Sequence, residues 1–293
     1  MPAGGEGLVA GRRATAALTA DRNGPALPRR DTGAVTESSY LRRLFSLSGR
    51  VAVITGGSGG IGRSMAAALA KAGASVVIIA RRPKALDEAV AAILADGGAA
   101  GRVRADLADR DDLMRACLEV RATFGDPDIL VNAAGVNIRP PMAELTLDQW
   151  DQSIQVNLTA PFLLGQEFGP SMAARGWGRI INVASQQAMR AFGNSGGYGA
   201  SKGGLVSLTR SQSEAWAAAG VRCNAIAPGF VATAMTIEAA SDPARSAALA
   251  ARTMIGRNGR PSDFEGITVF LASAASDYLT GQLICVDGGF SAT

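Results

Sequence analysis

From residue 47 onward, the chain alternates short continuous apolar runs with longer segments in which apolar residues recur at helical spacing. The first pattern is typical of buried strands and the second of helices packed on a core. We predict strands at residues 51–55, 75–80, 101–105, 129–132, 179–184, 221–226 and 282–286. We predict helices at residues 61–72, 86–95, 111–124, 147–172 and 198–219.

The alternation of these elements indicates the fold class. Strands that are apolar along their whole length are buried on both faces, as in parallel sheets covered by helices on each side. Crossover connections between parallel strands are right-handed, which limits the topologies open to such a chain. We expect an α/β protein with a single Rossmann-type, doubly wound parallel sheet and helices on both faces. A nucleotide would bind at the carboxyl ends of the strands.

The beginning of the chain lacks this pattern. Residues 1 to about 36 are rich in Gly, Ala, Thr, Pro and Arg, and we predict a disordered extension. A short helix is predicted over residues 38–44. Arg12 and Arg13 are not followed by an apolar stretch, which argues against an export signal. We therefore divide the chain into an extension, residues 1–45, and a Rossmann-type domain, residues 46–293.

Charge and hydropathy exclude some partners. The chain of 293 residues has a net charge of +4, but its first 45 residues hold seven arginines and four acidic residues. The domain itself is therefore nearly neutral and gives no reason to expect a nucleic-acid partner. No apolar run approaches the ~20 residues that span a bilayer, so we expect no membrane segment.

The absence of histidine narrows the chemistry. Ser-His-Asp and Cys-His catalysis are excluded together with histidine metal sites, and we expect no metal. Proton transfer near neutral pH must then use Tyr, Lys, Asp, Glu or Cys. Cys117, Cys223 and Cys285 are far apart in the sequence, and we expect buried free thiols in a reducing compartment, the cytoplasm.

A glycine-rich turn, Thr-Gly-Gly-Ser-Gly-Gly-Ile-Gly at residues 55–62, joins the first predicted strand to the first predicted helix. Glycines let the backbone approach a pyrophosphate, and a helix N-terminus stabilises its negative charge. The spacing, G-x-x-x-G-x-G, differs from the common G-x-G-x-x-G form. Taken alone, the turn is also compatible with a purely structural connection.

Together with the motifs that follow it, the turn resembles the short-chain dehydrogenase/reductase family. In the family's order, these motifs are Asp106-Leu107, Asn132-Ala133-Ala134-Gly135, Asn157, Ser185, Tyr198-Gly199-Ala200-Ser201-Lys202, Pro228-Gly229 and Val286-Asp287-Gly288-Gly289. The resemblance covers about residues 44–292. Ala133 is a departure, since the family more often has Asn there. Relatives are commonly homotetramers, so the resemblance implies a homo-oligomer, a tetramer or a dimer.

The resemblance implies a catalytic group of Asn157, Ser185, Tyr198 and Lys202. Tyr198 and Lys202 are four residues apart on a predicted helix and therefore share a face. A phenol has an unperturbed pKa of ~10, which a nearby ammonium lowers. Tyr198 would be the general acid/base, and Lys202 would lower its pKa and bind the nicotinamide ribose. Ser185 would orient the carbonyl oxygen, and Asn157 would position a water that links Lys202 to solvent.

The same resemblance implies a nicotinamide cofactor. The second strand ends at Ala80, where an NAD site usually has an acid, and Arg81 follows, so NADP(H) is favoured over NAD(H). Gly59 argues the other way, because many NADP-using relatives carry a basic residue there. The expected cofactor-binding residues are Gly56, Ser58, Gly60, Ile61, Gly62, Arg81, Asp106, Leu107, Asn132, Ala133, Gly135, Tyr198, Lys202, Pro228, Gly229, Val231 and Thr233.

The expected reaction is hydride transfer that interconverts a small secondary alcohol and a ketone, with substrate contacts from Ser185, Tyr198, Arg139 and Gln187. Arg139 is expected to recognise a carboxylate, and residues 233–262 to form a lid. Residues 44–50, 135–139 and 280–282 look like those of gluconate and deoxygluconate dehydrogenases, whose substrates are sugar acids. Two alternatives stay open. One is a 3-oxoacyl-acyl-carrier-protein reductase-like enzyme of fatty-acid metabolism, and the other is a non-catalytic NADP-binding sensor.

Overall fold

The computed structural model describes residues 37–292, which form alternating helices and strands. The strands are β1 (Val51–Thr55), β2 (Ser75–Ala80), β3 (Ala99–Arg104), β4 (Ile129–Asn132), β5 (Gly178–Val183), β6 (Val221–Pro228) and β7 (Leu283–Val286). The helices are α1 (Glu37–Phe45), α2 (Gly60–Lys71), α3 (Pro83–Ala95), α4 (Arg110–Phe124), α5 (Leu147–Ile154), α6 (Ala160–Ala174), α7 (Gly196–Trp216), α8 (Ile237–Ala240), α9 (Pro243–Ala251) and α10 (Glu265–Ala272).

The strands form one seven-stranded sheet in the order β3-β2-β1-β4-β5-β6-β7, and every pairing is parallel. The chain runs outward in one direction from β1 to β3 and in the other from β4 to β7. The direction reverses between β1 and β4, where Thr55 is the register partner of Asn132. The prediction of a doubly wound parallel sheet is confirmed, and the reversal creates a crevice at the carboxyl ends of these two strands.

Alternate residues of the central strands pack into separate apolar clusters. Ile54 and Ile78 belong to a cluster that contains Met65 of α2, whereas Val53 belongs to one that contains Phe168 of α6. Because successive side chains of a strand point to opposite faces, both faces of the sheet are covered. Burial on both faces explains why the strands read as continuous apolar runs.

The helix predicted over residues 147–172 is interrupted. It consists of α5, a π-helical turn at Gln155–Thr159 and α6. A π-turn inserts one residue into the helical repeat, and apolar spacing alone does not reveal so small an insertion. Helix α10 was not predicted, because its apolar run Ile267–Ala272 lacks the spacing of an amphipathic helix.

The helix predicted over residues 38–44 is observed as α1. Residues 1–36, to which the predicted disorder applies, lie outside the described residues, and the division of the chain at residue 45 stays a prediction. Within the part of the chain that the structure describes, no helix combines the length and the apolar character that crossing a membrane requires.

Candidate active site

The glycine-rich turn connects β1 to α2 and requires glycine at two positions. Gly56 has φ +71°, and a Cβ there would lie 2.8 Å from the backbone of Ala134. A Cβ on Gly62 would lie 2.5 Å from the carbonyl oxygen of Gly56. The N-cap of α2, Gly59, provides no side-chain cap, so the first N–H groups of the helix keep their capacity to bind an anion.

A cleft opens at the carboxyl ends of the strands, and this turn forms part of its wall. Most residues that were predicted from sequence to bind cofactor or substrate line it. They are Gly56, Ser58, Gly60, Ile61, Gly62, Arg81, Asp106, Leu107, Ala133, Gly135, Ser185, Tyr198, Lys202, Pro228, Gly229, Val231 and Thr233. Asn132, Asn157, Arg139 and Gln187 are not among the residues that line it.

Asn132 was expected to bind the cofactor, and this role stays a prediction, although Asn132 does not line the cleft. Asn132 is buried, and its Nδ2 donates to Oδ1 of Asn182 on β5 at 2.8 Å. Asn182 in turn donates to Thr209 of α7 at 2.9 Å. This amide side chain therefore joins β4 to β5 and α7 beneath the cleft. The sequence offered one indication of this pairing, because Asn182, the register partner of Asn132, is an asparagine near the end of the neighbouring strand.

Two arginines lie where the cleft passes the end of β2. Nη1 of Arg81 is 3.5 Å from Oδ2 of Asp106, and both side chains are exposed. Nη2 of Arg82 lies 3.8 Å from the position that a Cβ on Gly59 would take. Arg82 therefore brings a positive charge to the place where Gly59 has no side chain. Arg82 was not among the residues predicted to bind the cofactor.

Ser185 and Tyr198 meet at the other end of the cleft, and both are buried. Burial raises the pKa of Tyr198 above its ordinary value, whereas a hydrogen bond with the Ser185 hydroxyl and the positive charge of Arg139 lower it. Ser185 Oγ also accepts the N–H of Gln187 at 3.1 Å. The serine hydroxyl is thus held in place at the phenol.

Lys202 is buried on α7, one turn after Tyr198. Its Nζ donates to the carbonyl oxygen of Val183 at 2.7 Å and lies 5.8 Å from the centroid of the Tyr198 ring. Burial lowers the pKa of Lys202 to about 8. The expected role of Lys202 in lowering the pKa of Tyr198 and binding the nicotinamide ribose stays a prediction. The Val183 carbonyl was not predicted because backbone acceptors leave no mark in the sequence.

Asn157 lies in the π-helical turn and is fully buried. Its Oδ1 accepts the N–H of Val136 at 2.9 Å, and its Nδ2 donates to the carbonyl of the same residue at 2.9 Å. Nδ2 also donates to Ser201 Oγ at 3.0 Å. Asn157 therefore connects the segment after β4 to α7, and its expected role in positioning a water stays a prediction.

Arg139 lies beside the cleft and is half-buried. Its Nε donates to the carbonyl of Asn194 at 3.3 Å, and its Nη2 donates to the carbonyl of Gly193. Asn194 is the one non-glycine residue with positive φ that is found between residues 37 and 292. Nε and Nη2 of the guanidinium thus hold the loop that precedes α7, whereas Nη1 takes part in neither hydrogen bond.

The predicted lid contains α8 and α9. Met235 at its start lines the cleft, and its Cε lies 3.9 Å from the position of a Cβ on Gly135. The methyl carbon of Thr233 lies 3.1 Å from the corresponding position on Gly60. The start of the segment therefore lies against Gly60 of the glycine-rich turn and near Gly135, and its role as a lid stays a prediction.

The fold and the cleft define a nucleotide-binding protein of the Rossmann class that carries a buried tyrosine, serine and lysine at one end of its site. The chain matches the family model described as enoyl-(acyl carrier protein) reductase over residues 56–291. The chain belongs to the short-chain dehydrogenase/reductase family. It is therefore an oxidoreductase that interconverts secondary alcohols and ketones.

Individual relatives are similar over nearly their whole length. The chain is 42% identical to the 2-dehydro-3-deoxy-D-gluconate 5-dehydrogenase of Pseudoalteromonas atlantica, covering 84% of this chain and 97% of that protein. It is 37% identical to the gluconate 5-dehydrogenase of Gluconobacter oxydans, covering 85% and 97%. The crystal structure of a gluconate 5-dehydrogenase from Burkholderia cenocepacia in complex with NADP and tartrate is 38% identical, with a TM-score of 0.82, covering 87% and 99%.

Proposed function

We propose that this protein is an NADP(H)-dependent dehydrogenase that oxidises a secondary alcohol of a sugar acid to the ketone and catalyses the reverse reduction. The observation that carries this proposal is the arrangement of one cleft. The glycine-rich turn and two arginines lie at one end, and the Ser185–Tyr198 pair lies at the other. Similarity to gluconate and deoxygluconate dehydrogenases supports the substrate class.

Tyr198 is the group that moves the proton. In alcohol oxidation its phenolate takes the proton from the substrate hydroxyl, and in ketone reduction its phenol returns it. Ser185 donates a hydrogen bond to the substrate oxygen and holds it beside the phenol. Lys202 is fixed by its hydrogen bond to the Val183 carbonyl and would bind the nicotinamide ribose. The cofactor, when bound, supplies the hydride acceptor or donor.

The residues of the cleft fit a dinucleotide. The crowded backbone requires glycine at residues 56 and 62, so neither position places a side chain at the start of α2, where a pyrophosphate would bind. Asp106, which is paired with Arg81, would bind the adenine, and Arg81 and Arg82 would supply charge for a 2′-phosphate. The guanidinium of Arg82 beside Gly59 removes the sequence-based objection to NADP(H), since it provides the charge that Gly59 lacks.

The proposed cofactor preference predicts a shift toward NAD(H) in the variant Ala80→Asp/Arg81→Ala. The new carboxylate repels a 2′-phosphate, and a charge-assisted hydrogen bond is lost. We expect the ratio of kcat/KM for NADP to that for NAD to fall by roughly 10–100-fold, because a hydrogen bond to a charged group contributes about 1.5–3 kcal/mol. Adding Arg82→Ala is expected to lower the ratio further.

The matched control for this cofactor experiment is Arg63→Ala. Arg63 is an exposed arginine of α2 that does not line the cleft, so its loss should leave the ratio unchanged. Steady-state rates with both cofactors measure the effect. An unchanged ratio in the Ala80→Asp/Arg81→Ala variant would show that Arg81 is an ordinary surface charge.

Arg139 is the proposed carboxylate-binding residue. Its Nε donates to the carbonyl of Asn194 and its Nη2 to that of Gly193, so a carboxylate would bind at the edge of the guanidinium that carries Nη1. Its positive charge lowers the pKa of Tyr198, which is consistent with a guanidinium on the Tyr198 side of the cleft. Pro140 and Pro141 restrict the following backbone and keep this segment in place.

The variants Arg139→Ala and Arg139→Lys are expected to discriminate an acid from its neutral analogue. The loss in kcat/KM should be greater for the acid by about 1.5–3 kcal/mol, the usual contribution of a hydrogen bond to a charged group. The Arg139→Lys variant should recover only part of the acid's rate because an ammonium lacks the planar pair of donors. Paired kinetics with gluconate and a neutral polyol measure this. Equal losses in kcat/KM for both substrates would mean that Arg139 only stabilises the loop at Gly193 and Asn194.

One alternative keeps a specific observation in its favour. The matching family model is described as an enoyl-(acyl carrier protein) reductase, and a similar solved structure is described as a 3-oxoacyl-(acyl-carrier-protein) reductase, which fits a 3-oxoacyl thioester as substrate. Such a substrate carries no carboxylate for Arg139, so an enzyme of this kind would lose nothing selective in the Arg139 variants. A non-catalytic NADP sensor is disfavoured because Ser185, Tyr198 and Lys202 are all present at the cleft.

The proposed assembly is a homo-oligomer, a dimer or a tetramer. The neighbouring helices α4 and α6 expose Met114, Leu118 and Phe162, large apolar side chains that a partner subunit would cover. The proposed location is the cytoplasm, because Cys117, Cys223 and Cys285 are all free thiols. Cys117 and Cys223 are buried as expected, but Cys285 is exposed, which corrects that part of the prediction.

A further inference from the structure

Asn157, in the π-helical turn, holds the segment around Val136 on the side of the cleft where the substrate is proposed to bind. Its amide pairs with both the N–H and the carbonyl of Val136, at 2.9 Å each. Two hydrogen bonds from one planar amide fix both the position and the orientation of the segment around Val136. Val136 lines the cleft, follows Gly135 directly and precedes Arg139 by three residues.

Ser201 extends this hold to α7. Its side chain is fully buried, and its Oγ accepts from Asn157 Nδ2 at 3.0 Å while donating to the carbonyl of Tyr198 at 2.8 Å. A serine that bonds to its own helix is ordinary. The additional bond to Asn157, 44 residues away in the sequence, makes Ser201 a connection between two walls of the site.

We propose that Ser201 is a positioning residue that acts through Asn157 and sets the spacing between Tyr198 on α7 and the substrate segment at Val136. The proposal rests on the proposed role of Tyr198. The space between these walls is small, since a Cβ on Gly135 would lie 3.2 Å from Asn157 Oδ1 and 3.7 Å from Lys202 Nζ. A shift of either wall would therefore change the distance from the phenol to the substrate oxygen.

The test compares Ser201→Ala with Ser207→Ala, an exposed serine on the same helix that controls for helix propensity. We expect kcat to fall by about 10–100-fold in Ser201→Ala, because misplacement by ~1 Å costs on that order. The Kd of NADPH should not change in either variant. In the double variant Ser201→Ala/Asn157→Ala, kcat should equal that of Asn157→Ala alone, because the serine acts through the asparagine.

Two further measurements keep the test decisive. Ser201→Thr and Ser201→Val have matched shapes, so only the loss of the hydroxyl distinguishes them, and Thr should retain much more activity than Val. Hydrogen exchange of the Val136 amide should accelerate in Ser201→Ala but not in Ser207→Ala, and this readout needs no turnover. An inactive wild type would overturn the proposed function alone. Unchanged exchange, additive kcat losses with Asn157→Ala, or equal Thr and Val variants would overturn the role of Ser201.

Discussion

Tyr198→Phe is expected to lower kcat by roughly 10²–10⁴-fold, the usual contribution of general acid–base catalysis. The phenol is the proposed proton-transferring group and is hydrogen-bonded to the Ser185 hydroxyl in the cleft, and the chain has no histidine to replace it. Phenylalanine keeps the ring in its buried position and removes only the hydroxyl. We therefore expect the Kd of NADPH and the melting temperature to stay close to those of the wild type.

The matched control for this substitution is Tyr278→Phe. Tyr278 is fully exposed, so removal of its hydroxyl should leave kcat unchanged. Rates of cofactor reduction under saturating substrate, together with NADPH binding by fluorescence, measure both variants. A Tyr198→Phe enzyme with near-normal kcat would mean that another group transfers the proton.

Gly62→Ala is expected to weaken cofactor binding by about 10–100-fold. The new methyl group would lie 2.5 Å from the carbonyl oxygen of Gly56, which is backbone and cannot turn away as a side chain could. The glycine-rich turn must open to admit it, and overpacking of this kind costs about 1–3 kcal/mol. Since 1.4 kcal/mol is a factor of about ten in affinity, a titration with NADPH resolves the effect.

Gly59→Ala is the control within the same turn. Gly59 has φ −165°, an extended conformation open to any residue, and the nearest atom to its Cβ position is Arg82 Nη2 at 3.8 Å. This variant should bind NADPH nearly as the wild type does. Equal losses in the two variants would show that the turn is intolerant of any side chain rather than crowded at Gly62.

The parts of the fold and site that could be predicted from sequence are those with a short-range signature. The run from Val51 to Gly62 combines an apolar strand, a glycine turn and a helix start, and each has its own local pattern. The spacing of Tyr198 and Lys202 places both on one helix face. Ser185 could be placed at the cleft because the carboxyl ends of parallel strands meet at one edge of a sheet.

The missed features depend on backbone geometry or distant contacts. The π-turn around Asn157 differs from an α-helix by one residue, and the acceptor for Lys202 is a main-chain carbonyl. Neither changes the pattern of side-chain types. The proposed role of Arg82 depends on its distance to Gly59, and that of Ser201 on its hydrogen bond to Asn157, and neither contact can be read from the sequence. Such contacts depend on how α-helices and turns pack, which local propensity does not determine.

The most direct test is the formation of reduced nicotinamide by the wild-type chain, supplied with NADP⁺ and a panel of gluconate, 2-dehydro-3-deoxygluconate and neutral polyols. We expect absorbance of the reduced cofactor to rise with a sugar acid, faster with NADP⁺ than with NAD⁺. A chain that binds NADPH but reduces neither cofactor with any alcohol, and oxidises NADPH with no ketone, would contradict the proposed dehydrogenase function.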